Sequence, residues 1–191
     1  MATLQGTQTQ ANILTAFAGE SQARNRYSFF AKTAKKEGFV QIASIFERTA
    51  EHECTHAKTL FKLLEGGEVE ITASFPAGTI GTTIDNLEAS AVGEEYEYME
   101  MYPSFAQVAE DEGFPVIASV FIAIAKAEQQ HARQYRSFID NLKSGRVFRR
   151  DDTVVWYCSK CGYTHEGNEP PKECPSCAHP VSYFELLGEN W

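Results

Sequence analysis

Two short words in this chain, Glu53-Cys54-Thr55-His56 and Glu128-Gln129-Gln130-His131, each place a carboxylate and an imidazole three residues apart, and they stand 75 positions from one another. At that spacing on a helix both side chains leave the same face. A further glutamate lies upstream of each word, Glu20 before the first and Glu94 before the second. Carboxylates and imidazoles that converge without a thiolate suit Fe or Mn, which accept mixed oxygen and nitrogen donors. Such a centre points to redox or oxygen chemistry.

One Glu from each of two helices, with Glu-x-x-His from each of the other two, is the donor set of carboxylate-bridged two-metal bundles of the ferritin-like kind. Glu53 and Glu128 are the natural bridging ligands, because their helices also carry the histidines. Glu20 and Glu94 are then terminal ligands, one per metal, and His56 and His131 take one metal each. Glu97 lies one turn after Glu94, where the first repeat has Ala23. It reads as an extra ligand that makes the metals inequivalent and competes with His56 at one of them. A strict offset of 75 pairs Glu20 with Glu95, but Glu94 continues the apolar stripe and is the choice made here. Tyr27 and Tyr102 follow Glu20 and Glu94 by one or two turns; they either hydrogen-bond the ligand carboxylates or serve as aromatic core. Surface salt bridges would explain one Glu-x-x-His, but not two matched ones with upstream partners.

Near the C-terminus, Cys158-x-x-Cys161 and Cys174-x-x-Cys177 enclose 12 residues and make a tetrahedral thiolate site. Spacing alone leaves zinc and iron open. The remaining thiol, Cys54, reads as inert, and His52, His165 and His179 as solvated.

Four helices position the first group. The chain repeats itself: Glu37-Gly38-Phe39 matches Glu112-Gly113-Phe114, and Ile42-Ala43-Ser44-Ile45-Phe46 matches Ile117-Ala118-Ser119-Val120-Phe121. Helical periodicity predicts helix A over roughly 10–36, B over 39–65, C over 83–111 and D over 115–143. Each apolar stripe carries an ionisable residue at its middle, as in Ile117, Phe121, Ile124, Glu128, His131, Tyr135 of helix D. Gly38 and Gly113 suit helix ends, and Pro115 a first turn. Gly66-Gly67 ends helix B, and residues 68–81 form a long crossover. After Gly145 a charged connector, 147–152, leads to a Cys-, Pro- and Gly-rich piece. About 40 residues bury too little to fold alone, so a metal staples this piece together. The predicted fold class is mainly α: a ferritin-like four-helix bundle (1–146) followed by a small rubredoxin-like, metal-stapled β/loop domain (147–191).

The composition fits. A formal charge of −9 argues against nucleic acid or an anionic membrane as partner. Met1 to Gln10 carries no signal-peptide pattern, and no apolar run approaches the ~20 residues of a membrane span. Cysteines in C-x-x-C pairs look like metal ligands in a reducing compartment, so the expected location is cytoplasmic.

The words Trp156-Tyr157-Cys158-Ser159-Lys160-Cys161-Gly162-Tyr163 and Glu173-Cys174-Pro175-Ser176-Cys177 resemble rubredoxin, which binds one iron. Joined to the bundle ligands, they make the whole chain similar to the rubrerythrin family. The resemblance implies two irons at Glu20, Glu53, Glu94, Glu97, Glu128, His131 and, depending on redox state, His56. It implies a third iron at Cys158, Cys161, Cys174 and Cys177. The implied activity is a non-haem peroxidase that reduces hydrogen peroxide to water and protects against oxidative stress. Its electrons pass through the thiolate iron from reduced pyridine nucleotide by way of separate redox proteins. Glu128 precedes the end of helix D by about 15 residues, which at ~1.5 Å each sets the cysteine module ~20 Å from its own bundle site. A head-to-tail homodimer, each module serving the partner's site, is therefore expected. The alternatives are a ferroxidase or iron-sequestering protein, and a non-enzymatic bundle with a structural zinc ribbon.

Overall fold

The computed structural model describes residues 3–189. Met1 and Ala2, part of the polar N-terminal stretch, and Asn190 and Trp191 lie outside the described residues. Helices α1 (Gln8–Lys36) and α2 (Val40–Phe61) form one hairpin. Helix α3 (Thr83–Tyr96), a π-helical segment (Glu97–Met101), α4 (Tyr102–Asp111) and α5 (Pro115–Lys143) form the other.

Local chemistry sets the ends. Thr7 caps α1 by accepting from the Gln10 N–H, so helix A starts earlier than its stripe suggests. Helix B stops at Phe61, short of 65, because the Leu63 and Leu64 amides tighten onto the carbonyls of Leu60 and Phe61 before Gly66. Both hairpins turn through a glycine in the left-handed region, Gly38 at φ +88° and Gly113 at φ +84°. The next amide reaches back, Phe39 to the Ala34 carbonyl and Phe114 to that of Ala109, at 2.8 and 2.7 Å. The glutamates of the repeated Glu-Gly-Phe words reach across to the other hairpin. Glu37 accepts from the Thr83 N–H at the start of α3, and Glu112 from the Gln8 and Thr9 N–H groups at the start of α1. Each turn thus caps the opposite repeat's first helix, where a carboxylate also meets the positive end of the helix dipole.

Helix C is not continuous. Tyr27 follows Glu20 by seven residues, whereas Tyr102 follows Glu94 by eight. The extra residue is absorbed in the π-helical segment, where the Tyr102 N–H reaches the Glu97 carbonyl five residues back. Pro103, which has no N–H to give, follows directly.

The core lies in two apolar clusters. One, at the end of the bundle near the hairpin turn of α1 and α2, includes Tyr27, Phe30, Ile42, Phe46, Leu87 and Tyr135. The other, toward the opposite end, includes Ile13, Leu60, Tyr102, Ala106, Phe121 and Ile124. The ionisable residues lie between the two.

Beyond α5, strands β1 (Val154–Cys158), β2 (Thr164–Gly167) and β3 (Phe184–Leu186) form an antiparallel sheet in the order β2-β1-β3. Its buried cluster is Trp156 and Phe184 with Cys158 and Cys174. The Phe39 and Phe148 rings stack at 6.3 Å beside the bundle. No helix among the described residues is long and apolar enough to cross a membrane.

Candidate metal centre

The four central glutamates Glu20, Glu53, Glu94 and Glu128 are each at most 2% exposed. Helices α1, α2, α3 and α5 supply one apiece. Their donor atoms fall into two groups, each within 4.8 Å: Glu20, Glu53, His56 and Glu128, and Glu53, Glu94, Glu128 and His131. Glu53 and Glu128 belong to both groups, as bridging ligands would. Glu20 keeps company with His56, and Glu94 with His131.

The imidazole nitrogens face the carboxylates closely. His56 Nδ1 lies 2.9 Å from Glu128, 3.1 Å from Glu53 and 3.4 Å from Glu20. His131 Nδ1 lies 2.7 Å from Glu128, 3.2 Å from Glu53 and 3.5 Å from Glu94. Among the described residues, Glu20 Oε2, Glu53 Oε1, Glu94 Oε2 and both Glu128 oxygens are buried with only these imidazole nitrogens close by, and without a hydrogen bond of regular geometry. Lone pairs that converge so closely with so few donors are arranged as ligands around cations, and the mixed oxygen and nitrogen set suits iron.

The electrostatics agree. Burial pushes Glu94 up to about 8 and raises Glu20 well above the usual carboxylate range. Burial acts on Glu53 in the same direction, but the close His131 and His56 imidazoles prevail and bring it to about 2. Burial works against charging His131, yet Glu128, Glu53 and Glu94 push it up to about 12. Such opposed shifts mean that these groups cannot all take their ordinary charges together without added positive charge.

Tyrosines hold the terminal carboxylates from outside. Tyr27 donates to Glu94 and Tyr102 to Glu20, each across to the other repeat. Both readings of these tyrosines describe the geometry: the hydroxyls bond the carboxylates while the rings pack in the two apolar clusters. Glu95, the rejected alternative to Glu94, faces outward and takes a bidentate pair from Arg136 at 2.7 and 2.6 Å.

Glu97 lies apart from the two groups. It starts the π-helical segment and belongs to neither ligand group. Half-buried, it lines a cavity of about 300 Å³ with Arg26, Phe75, Tyr96, Met101 and Phe105. Burial, then the nearby Glu94 and Glu20, raises its pKa well above the usual range. His56 stands in the first ligand group.

Two histidines read as solvated have partners. His52 Nδ1 lies 3.0 Å from His131 Nε2, and His179 Nδ1 lies 3.0 Å from the Cys177 carbonyl oxygen. The His52 partner is on another helix, 79 residues away, so no local spacing could reveal it. Cys54 is half-buried.

In the sheet, the sulfurs of Cys158, Cys161, Cys174 and Cys177 all lie within 4.8 Å of one another. Each pair sits in a tight turn: the Gly162 N–H bonds the Cys158 carbonyl at 2.9 Å, and the Ala178 N–H the Cys174 carbonyl at 2.8 Å. Gly162 has φ +81°, and Ala178 adopts φ +55°, a conformation unusual for a residue with a side chain. The Tyr163 backbone N–H is the main cause that brings the Cys161 thiol down to about 6, ready to ligate as thiolate.

Comparison with known proteins places this geometry. The family model Rubrerythrin matches residues 11–139, and the model of the rubrerythrin rubredoxin-like domain matches residues 156–185. The rubrerythrin of Nitratidesulfovibrio vulgaris is 58% identical over 191 residues, covering 100% of both chains. That of Porphyromonas gingivalis is 52% identical over 188 residues, covering 98% of this chain and 94% of its own. A structure of nigerythrin in its fully reduced, all-ferrous state superposes with a TM-score of 0.64 at 32% identity, covering 97% of this chain and 92% of that one.

Proposed function

The chain belongs to the rubrerythrin family, and on that premise we propose that it reduces hydrogen peroxide to water at the bundle site, with electrons relayed through the Cys158/Cys161/Cys174/Cys177 iron. It carries a di-iron carboxylate site in the bundle and a four-thiolate iron site in the sheet. The observation that carries the proposal is the pairing, on one chain, of a buried site with two shared carboxylates and a one-electron thiolate centre. The overall reaction takes two electrons and two protons per peroxide and yields two waters. When bound, two ferrous ions supply both electrons together, so the O–O bond breaks without release of a hydroxyl radical.

The protein's own groups do the rest. Glu53 and Glu128, shared by both groups, would hold both metals, with Glu20 and His56 completing one position and Glu94 and His131 the other. Glu97 and His56 would serve as alternative ligands of the first position in different oxidation states, a reading that the charge of Glu94 and Glu20 felt at Glu97 supports. Tyr27 and Tyr102 keep Glu94 and Glu20 oriented. The cavity bounded by Glu97 and Arg26 gives a small polar molecule a way toward the centre, and the apolar clusters on either side keep bulk water out. When it is not a ligand, the Glu97 carboxyl on the cavity wall, raised above the usual carboxylate range by burial and its neighbours, would hold a proton for the peroxide oxygens.

The working unit is a head-to-tail homodimer in the reducing cytoplasm, in which each thiolate module serves its partner's bundle and receives electrons from separate redox proteins. Steady-state assay with a reduced pyridine nucleotide and a reductase chain tests the function. Peroxide and reductant should disappear one for one, and Cys174→Ser should abolish repeated turnover. Unchanged turnover in that variant would remove the relay from the account.

A further inference from the structure

His52 stands outside the ligand set and touches it. Its ring is exposed at the surface of α2, whereas His131 is buried. The two rings lie nearly parallel, 14° apart with centroids separated by 5.2 Å, and His52 Nδ1 is 3.0 Å from His131 Nε2. The other nitrogen of His131, Nδ1, faces Glu53, Glu94 and Glu128. A cation among those carboxylates takes the Nδ1 lone pair, so the single proton of neutral His131 must sit on Nε2. Nε2 is then a donor, and the atom before it has to accept. His52 Nδ1 accepts when the His52 ring carries its own proton on Nε2.

The other half of the duplicated site lacks this device. The offset of 75 that superposes the two Glu-x-x-His words carries His52 onto Ala127, whose methyl group accepts nothing. At His56 the hydrogen bond present is to Glu53, on the same nitrogen that faces the ligand carboxylates. One ligand histidine is therefore held on both nitrogens and the other on one.

We propose that His52 is a positioning residue: it fixes the tautomer and ring orientation of His131, and makes the metal position of Glu94 and His131 the tighter of the two. Outer partners of a ligating histidine typically contribute 10–100-fold to metal affinity.

The test uses the full-length protein stripped of metal and titrated anaerobically with Co(II), whose visible bands count and distinguish the two bundle positions without turnover. His52→Leu, an exposed substitution, should weaken one of the two bundle binding events by about 10–100-fold and shift its band, leaving the other within about threefold. His52→Gln, whose amide oxygen still accepts from Nε2, should restore most of the loss. In a His56→Ala background, where the His131 position alone keeps its imidazole, His52→Leu should weaken the remaining tight event. Equal weakening of both events, no weakening, or failure of the glutamine to restore binding would each overturn the proposal.

Discussion

The Tyr27 hydroxyl, on the first repeat, donates its hydrogen to Glu94 on the second. Tyr102 returns the arrangement to Glu20. Burial, reinforced by the carboxylate each faces, raises both phenols well above their ordinary pKa, so both remain donors across the working pH range. Neither hairpin completes its own ligands. The terminal carboxylate of each repeat is oriented by the other, just as the Glu37 and Glu112 turns cap the opposite repeat's helix.

Removing either hydroxyl leaves a buried carboxylate oxygen short of a donor. Tyr27→Phe and Tyr102→Phe should each lower metal affinity or peroxide turnover by about 10–100-fold while the fold persists. Metal titration alongside far-UV circular dichroism checks this, and unchanged affinity in both variants would show the tyrosines to be packing alone.

Metal binding should depend on pH with a definite sign. In metal-free protein at neutral pH, Glu94 (pushed to about 8) and His131 (pushed to about 12) hold protons that a cation must displace. A pKa raised above its ordinary value means a proton held below it and released above it. Affinity should therefore rise between pH 6 and 8, with protons released on metal addition. Indicator dyes or calorimetry in buffers of different ionisation enthalpy would register the release, and pH-independent affinity would contradict these shifts.

Adjacent glutamates in α3 should behave oppositely. Glu94→Gln removes a donor from the group that holds His131 and should cost one metal. Glu95→Gln breaks only a partly exposed pair with Arg136, worth at most about 1 kcal/mol, and should keep both metals. Glu128→Gln, which touches both groups, should lose both. Iron content after dialysis reads all three.

The thiolate site should hold its own small sheet together. With Trp156 and Phe184 as the only large fully buried side chains there among the described residues, chelation or Cys161→Ser should erase the near-UV circular dichroism of Trp156. The helical signal of the bundle should survive, because its two clusters do not include the sheet.

A bundle-ligand variant such as Glu128→Gln, mixed with Cys174→Ser under conditions that exchange subunits, should recover activity that neither has alone. Confirmed exchange without recovered turnover would remove the cross-subunit route.

Much of this was legible in the residues. The Glu-x-x-His words and the matched repeats predict the bundle, and the apolar stripe of helix C favours Glu94 over Glu95. Helix D has the expected bounds, Pro115–Lys143. Three features were not legible, each for a physical reason. The π-helical segment absorbs a single extra residue between Glu94 and Tyr102, which barely disturbs a helical stripe. The role of His52 depends on a partner in a different helix. The duties of Glu37 and Glu112 lie across the fold, although their words repeat visibly. Glu97 is the instructive case: spacing puts it one turn from Glu94, but the widened turn that begins there leaves it at a cavity wall beside the site.

The most direct test of the central claim is anaerobic. The iron-loaded protein is fully reduced, one equivalent of hydrogen peroxide is mixed in, and the visible band of the iron–thiolate centre is followed. Rapid return of the oxidised colour, in step with peroxide loss, is the expected result. Oxidation of the di-iron site while the thiolate centre stays reduced would contradict it, and would leave the bundle acting without its relay.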